Sequence, residues 1–151
     1  MQLSGKITIR APRGLCIASL QEADVLAAFL PGQVFVIPKA ARHFDIEFQR
    51  DFGPIAVKLR GHLKIDEREP GTLYTFVMQA KHLLAGSANM DIEMRLTGNA
   101  PTELAYDGTL TGTGLAGRLM AEREDRVQAK LDEMFAALKQ RIEAERREKR
   151  A

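Results

Sequence analysis

The sequence has 151 residues, of which 45% are hydrophobic and 28% are charged. This length suits one domain with a sizeable core, and the composition excludes collagen-like, purely coiled-coil and wholly disordered chains. The single cysteine, Cys16, excludes an internal disulfide and any cysteine-rich metal site. Because the formal net charge is only +2, we expect no nucleic-acid partner, which would require a clustered basic patch.

Nothing in the sequence indicates export or membrane insertion. The first residues lack the apolar stretch of a signal peptide. The longest unbroken apolar run covers residues 25–30, far short of the roughly 20 residues that cross a bilayer. We therefore expect a cytoplasmic protein.

The N-terminal part predicts a strand, two short helices and a second strand. Apolar and polar residues alternate from Leu3 to Arg10, which is typical of a half-buried strand. After a break at residues 11–14, residues 15–20 and 22–30 indicate two short helices, which end before Pro31-Gly32. Residues 33–37 then predict a short strand that ends at Pro38.

A hairpin is the clearest prediction in the chain. Residues 44–52 and 55–65 alternate strictly between apolar and polar types on either side of Gly53-Pro54, which suits a two-residue turn. Folding at that turn pairs apolar residues on one face and opposite charges on the other, so a single register satisfies both faces. The predicted pairs are Phe44–Leu63, Phe48–Leu59, Asp45–His62, Glu47–Arg60 and Gln49–Lys58.

Three more strands and one long helix complete the pattern. Residues 73–82, 88–96 and 102–111 each alternate and are separated by Gly- and Pro-containing turns. From Leu115 the apolar spacing becomes helical and continues to Ile142, without Pro or Gly after residue 117. Because residues 143–151 carry no large apolar side chain, we expect a domain over residues 1–142 and a charged helix end that projects or frays.

These elements predict an α+β architecture. Seven curved antiparallel strands need a cover for their apolar face, and the long C-terminal helix packed across the sheet is the available one. A sheet that grips a single helix leaves an apolar space between the two unless large side chains fill it.

The order of elements and several short motifs resemble the carbon monoxide dehydrogenase G-subunit (CoxG) family of the SRPBCC, or START-like, helix-grip superfamily. The motifs are spread over nearly the whole chain, and departures from the family pattern occur at Ile17, Arg50 and residues 120–125. The motifs are Leu3-Ser4-Gly5, Ala11-Pro12-Arg13, Leu30-Pro31-Gly32, Phe52-Gly53-Pro54-Ile55, Ala85-Gly86-Ser87-Ala88 and Leu104-Ala105-Tyr106-Asp107.

The resemblance implies an accessory protein for a molybdenum-hydroxylase-type oxidoreductase. It implies an apolar cavity suited to a lipid-like molecule such as a quinone, and peripheral contact with the inner face of the cell membrane. We expect no cofactor of the protein's own.

Strand parity and the helical stripe give a candidate lining for this cavity. On the sheet it comprises Phe44, Ile46, Phe48, Arg50, Leu59, Tyr74, Phe76, Met78, Met90, Met94 and Tyr106, with Leu131 and Phe135 from the helix. The candidate membrane or partner contact is the basic end, Arg146, Arg147, Lys149 and Arg150, because cations near an anionic leaflet are attracted to it.

The polar residues among these leave alternatives open. Arg50 either anchors a ligand's polar end through its forked donors or reaches water from the hairpin tip. Tyr74 and Tyr106 either bind a ligand or place their hydroxyls at the rim of the core. By parity His43 and His62 belong to the solvated face, whereas His82 points either into the cavity or into solvent at a strand end.

Three hypotheses of function follow. The first is a non-catalytic binding protein with a lipid-like ligand. The second is a cyclase- or lyase-type enzyme, for which Arg50, His82, Tyr74 and Tyr106 are the available groups, with no metal site and no buried carboxylate that parity predicts. The third is an adaptor without a ligand that acts through the C-terminal helix.

Overall fold

A computed structural model describes residues 1–29, 33–52, 55–82, 86–114 and 124–150. Within these ranges the side chains of residues 28–29, 33–34, 48–52, 55–57, 82, 124–127, 130 and 149–150 are not described. The elements, in chain order, are β1 (Gln2–Ile9), α1 (Arg13–Leu20), α2 (Ala23–Phe29), β2 (Gln33–Ala40), β3 (His43–Phe52), β4 (Ile55–Glu69), β5 (Leu73–His82), β6 (Gly86–Gly98), β7 (Thr102–Thr113) and α3 (Glu124–Arg150).

The seven strands form one antiparallel sheet in the order β1-β7-β6-β5-β4-β3-β2. The chain therefore runs from one edge strand, β1, through α1 and α2 to the opposite edge strand, β2, and returns through five consecutive hairpin connections. α3 packs on the apolar face and contacts β1, α1 and α2. The predicted α+β architecture is confirmed.

The predicted β3–β4 register is also confirmed. Phe44 pairs with Leu63, Asp45 with His62 and Glu47 with Arg60. The pairing reaches Phe52 and Ile55, whereas the turn residues between them lie outside the described part of the chain.

Charge pairs occupy the outer side of this hairpin, as expected. His62 Nδ1 lies 2.9 Å from Asp45 Oδ1, and both Lys58 and Arg60 reach Glu47 at 3.8 Å. His62 and His43 are exposed, which agrees with their assignment to the solvated face.

Two strands, β2 and β4, run three or more residues past their predicted ends, whereas the ends of β6 and β7 differ from the prediction by two residues. β2 continues through Pro38 to Ala40, with a register shift between the two residues. A proline is tolerated there because β2 is an edge strand, where a missing N–H leaves no ladder partner unsatisfied. β4 continues past Ile65 to Glu69 although residues 66–69 are all charged, because its backbone stays paired with β5 as far as Leu73.

The core lies between the sheet and α3. The predicted helical stripe is buried at Leu131, Phe135, Leu138 and Ile142, against strand residues that include Ile9 and Leu104. The start of the predicted helix, residues 115–123, lies outside the described part. No helix in the described ranges is long and apolar enough to cross a bilayer.

The basic end of α3 does not project from Glu143 onward. Glu143 accepts the backbone N–H of Arg10 at 2.8 Å, and Arg146 donates to the backbone carbonyl of Arg10 at 2.7 Å. Ser19 donates to Glu145 at 3.2 Å. Polar contacts between α3 and the rest of the protein therefore continue to Arg146, beyond the end of the apolar stripe at Ile142.

Candidate ligand-binding cleft

Most of the predicted cavity lining is packed together in the core. The buried members are Phe44, Ile46, Tyr74, Phe76, Met78, Met94, Tyr106, Leu131 and Phe135. Leu59 and Met90 are partly buried. The backbones of Phe48 and Arg50 pair with Leu59 and Val57, but their side chains lie outside the described ones, as does that of His82.

An open cleft of about 580 Å³ lies between the edge strand β1 and the N-terminal half of α3. Its size falls within the range of ordinary small-molecule sites. Of the residues predicted to line a cavity, it includes Tyr106 and Phe135. The other lining residues are Ser4, Gly5, Lys6, Ile7, Gln128 and Asp132.

Two stacked aromatic rings form the apolar wall of the cleft. The centroids of Tyr106 and Phe135 are 4.2 Å apart, and their planes differ by 8°. The Tyr106 ring also covers the backbone of Gly5, where a Cβ atom would lie 2.7 Å from it. Any larger residue at position 5 would therefore displace the Tyr106 ring, so a glycine here lets β1 approach the stack.

Gln128 links β1, Tyr106 and Asp132 through hydrogen bonds within the cleft. Its amide oxygen accepts the Ser4 N–H at 3.4 Å, and its Nε2 lies 3.2 Å from the Ser4 carbonyl, 3.1 Å from the Tyr106 hydroxyl and 3.0 Å from Asp132 Oδ1. Because Nε2 has two hydrogens for three acceptors, one of these bonds is shared. The Gln128 side chain thus makes the two backbone hydrogen bonds with Ser4 that a neighbouring strand would make at this edge of the sheet.

Tyr106 and Asp132 form the polar end of the cleft. The Tyr106 hydroxyl donates to Asp132 Oδ1 at 3.2 Å. Burial raises the pKa of Tyr106, and the nearby Asp132 carboxylate acts in the same direction, whereas the Gln128 donor opposes it. The hydroxyl stays protonated at neutral pH and keeps one lone pair that can accept a hydrogen bond from a ligand.

Tyr74 lies away from this cleft and is satisfied within the protein. It accepts the Gly71 N–H at 3.2 Å and donates to Glu67 Oε1 at 3.3 Å. Burial and the Glu67 carboxylate raise its pKa. Arg42 in turn lies 2.6 Å from Glu67 and lowers the pKa of that carboxyl group.

Sequence reasoning missed Gln128 and Asp132. Neither residue is in the predicted cavity lining, although both sit at the margin of the helical stripe, one turn apart. Their positions directly beside Leu131 and Phe135 were the available signal. The described residues contain no group of three or more His, Cys, Asp or Glu that could hold a metal ion.

Solved structures with the same fold are numerous. A conserved protein from Geobacillus kaustophilus has a TM-score of 0.73 at 14% identity, over 94% of this chain and 95% of that one. A STAR-related lipid transfer protein from Xanthomonas axonopodis has a TM-score of 0.62 at 12% identity, over 92% and 84%. The Zhui aromatase/cyclase from Streptomyces sp. R1128 has a TM-score of 0.54 at 15% identity, over 94% and 95%.

The architecture and these likenesses define the helix-grip fold, an antiparallel sheet that grips one long helix. Residues 5–143 match the carbon monoxide dehydrogenase G-subunit (CoxG) family, and the chain belongs to that family. No curated protein matches the sequence.

Proposed function

We propose that the protein binds a lipid-like small molecule between α3 and the sheet, without converting it. Membership of the CoxG family over residues 5–143 carries this proposal, together with the fold that it shares with a lipid transfer protein. The partner we propose is a molybdenum-hydroxylase-type oxidoreductase, which the protein serves as an accessory or carrier component. A quinone is the ligand that best suits such a partner.

The cleft offers an aromatic edge and polar groups to a quinone head. Tyr106 and Phe135 are buried and stacked on each other, so a flat ring can meet only the edge of the pair that borders the cleft, where an aromatic edge and face attract each other. A ring carbonyl can accept a hydrogen bond from the Gln128 amide in place of one of its three present acceptors, among them the Tyr106 hydroxyl at 3.1 Å. The predicted lining residues deeper in the core are closely packed, so a long apolar tail would require α3 to move outward from the sheet.

Solvent extraction of the purified full-length protein tests whether it carries a ligand. Mass spectrometry of the extract is expected to show a lipid-like molecule in stoichiometric amount. A matched preparation of Gln128→Leu should carry less of this molecule, because the substitution removes the amide of Gln128 but leaves a side chain of similar size. Extracts free of any such molecule, from protein that also fails to bind added quinone, would rule the proposal out.

A cyclase-type enzyme is the second candidate, and the Tyr106–Asp132 hydrogen bond is the observation that favours it. A hydroxyl and a carboxylate in direct contact can move a proton at a bound ligand. Incubation of the protein with the extracted molecule separates the two proposals. A binding protein returns the molecule unchanged, whereas an enzyme yields a product whose formation Asp132→Asn abolishes.

An adaptor that acts only through the end of α3 is tested by truncation. Because Glu143, Glu145 and Arg146 contact the body of the domain, removal of residues 147–151 is cleaner than removal from residue 143. Loss of oxidoreductase or membrane association on truncation, in a protein whose extracts contain no ligand, would favour the adaptor. Unchanged association would favour the binding protein.

A further inference from the structure

The two edge strands of the sheet each contact a helix, β1 contacting α3 and β2 contacting α2, but they differ in the side chains that they expose. Side chains of α3 cap backbone groups of Ser4 on β1 and of Arg10, the residue that follows β1. On β2, the side chains of Phe35 and Ile37 are 57% and 54% exposed, and they are the exposed large hydrophobic side chains of the described part. Proteins usually avoid large exposed apolar side chains on an edge strand, so two of them on the outer face of β2 indicate a contact surface, although α2 packs against this strand.

Positive charge surrounds this apolar pair. The outer side of β2–β4, which we name the β2–β4 face, presents Phe35, Ile37, Lys39, Lys58, Arg60 and Lys64. The register places Phe35 in one row with Glu47, Arg60 and Lys81, and Lys81 is also exposed.

The basic side chains of the β2–β4 face are more exposed than the acidic ones with which they pair. The Arg60 side chain is 79% exposed and that of Lys39 is 62% exposed, whereas Asp45 and Glu47 are 34% and 30% exposed. Each of these two acids is shared by two basic side chains. The outermost layer around Phe35 and Ile37 is therefore cationic, although the face as a whole carries both signs.

We propose that the β2–β4 face docks on anionic lipid headgroups, with Phe35 and Ile37 entering the interface of the bilayer. Apolar side chains within a cationic surround are what such an interface recognises. A second copy paired through β2 fits less well, because it would bring the same cations together. The inference rests on the proposed function only in that a carrier of a lipid-like ligand must meet a membrane to load it.

This face differs from the basic end of α3 that the sequence favoured for membrane contact. Arg146 is hydrogen-bonded to the backbone of Arg10, and Glu143 and Glu145 lie beside it. The two surfaces can be separated by mutation, because the end of α3 shares no residue with β2–β4.

Vesicle flotation with the full-length protein tests the inference. We expect binding to phosphatidylcholine vesicles that contain about 30% phosphatidylglycerol, little binding to pure phosphatidylcholine, and loss between about 50 and 500 mM NaCl. Lys58→Gln with Arg60→Gln should weaken binding about 25-fold, at about fivefold per cation. Phe35→Ser with Ile37→Ser should weaken it at least about tenfold.

Matched controls keep the result specific to this face. The first control, Arg95→Gln, removes an exposed cation of β6 that is paired with Glu69, as the cations of the β2–β4 face are paired with acids. The second control, Arg147→Gln, removes an exposed cation of α3. Both should bind vesicles as the unaltered protein does, and thermal unfolding should show that every variant is folded.

The inference is overturned by any of three results. The first is no binding to anionic vesicles at low salt. The second is equal loss in the two control variants. The third is a dimer in sedimentation analysis that Phe35→Ser dissociates, with no vesicle binding, which would assign the face to a second copy. Ligand extraction is measured separately, so failure here leaves the proposed function intact.

Discussion

At the scale of single residues, two close contacts decide the geometry of the cleft. Gly5 lets the Tyr106 ring lie directly over the β1 backbone, and the same ring stacks on Phe135. Strand parity placed Tyr106 on the apolar face, and helical spacing placed Phe135 on the stripe. The reason for Gly5 could not be predicted, because it depends on a contact between β1 and a residue about a hundred positions away.

Gly5→Ala tests this contact. Its Cβ would lie 2.7 Å from Tyr106, so the ring must move away, and we expect a loss of about 1–3 kcal/mol of unfolding free energy. Urea denaturation measures the loss. Gly14→Ala is the control, since its Cβ meets nothing within 4 Å in helix α1, and it should be neutral or stabilising by up to about 1 kcal/mol. Equal effects of the two substitutions would contradict the proposed contact.

The Arg42–Glu67 pair gives a pH dependence of known sign. Because Arg42 lowers the pKa of Glu67 in the folded protein, this pair adds stability above the ordinary carboxyl pKa. That contribution disappears as the pH falls through the lowered pKa. Urea midpoints at neutral and acidic pH should therefore converge for the unaltered protein and Glu67→Gln as the solution is acidified. A difference that grows on acidification would show that the pair does not act in this way.

At the scale of elements, the hairpins were predictable and the helix contacts were not. The β3–β4 register followed from alternation, because a slip by one residue would reverse both faces. The extension of β4 to Glu69 could not be predicted, since backbone pairing with β5 outweighs its four charged side chains. The capping of β1 by α3 joins residues more than 120 positions apart, and no local pattern encodes it.

The two caps on β1 should be separable by hydrogen exchange. Gln128→Ala removes the acceptor of the Ser4 N–H, so the Ser4 amide should exchange faster while the Arg10 amide is unchanged. Glu143→Ala should have the reverse effect. Each variant is the control for the other, and the expected cost in stability is about 1 kcal/mol. Equal acceleration at both amides would indicate that α3 detaches as a unit, contrary to two independent caps.

At the scale of the whole molecule, a sheet with two unlike edges grips one helix. The β1 edge is closed by α3 and borders the cleft, whereas the β2 edge leaves Phe35 and Ile37 exposed. The sequence predicted a sheet covered by one helix, because the order of the elements and the alternation along the strands define both. It did not predict the open cleft beside β1, which depends on how α3 lies against that edge.

The central claim is that an aromatic ligand head binds beside Tyr106. The chain has no Trp and two Tyr residues, so Tyr74→Phe leaves only Tyr106 to fluoresce, and Tyr106→Phe leaves only Tyr74. Titration with the soluble quinone menadione measures binding at each tyrosine, with free N-acetyltyrosinamide as the reference for collisional quenching. We predict saturable quenching in Tyr74→Phe and only the collisional response in Tyr106→Phe. Collisional quenching alone in both variants would contradict the claim.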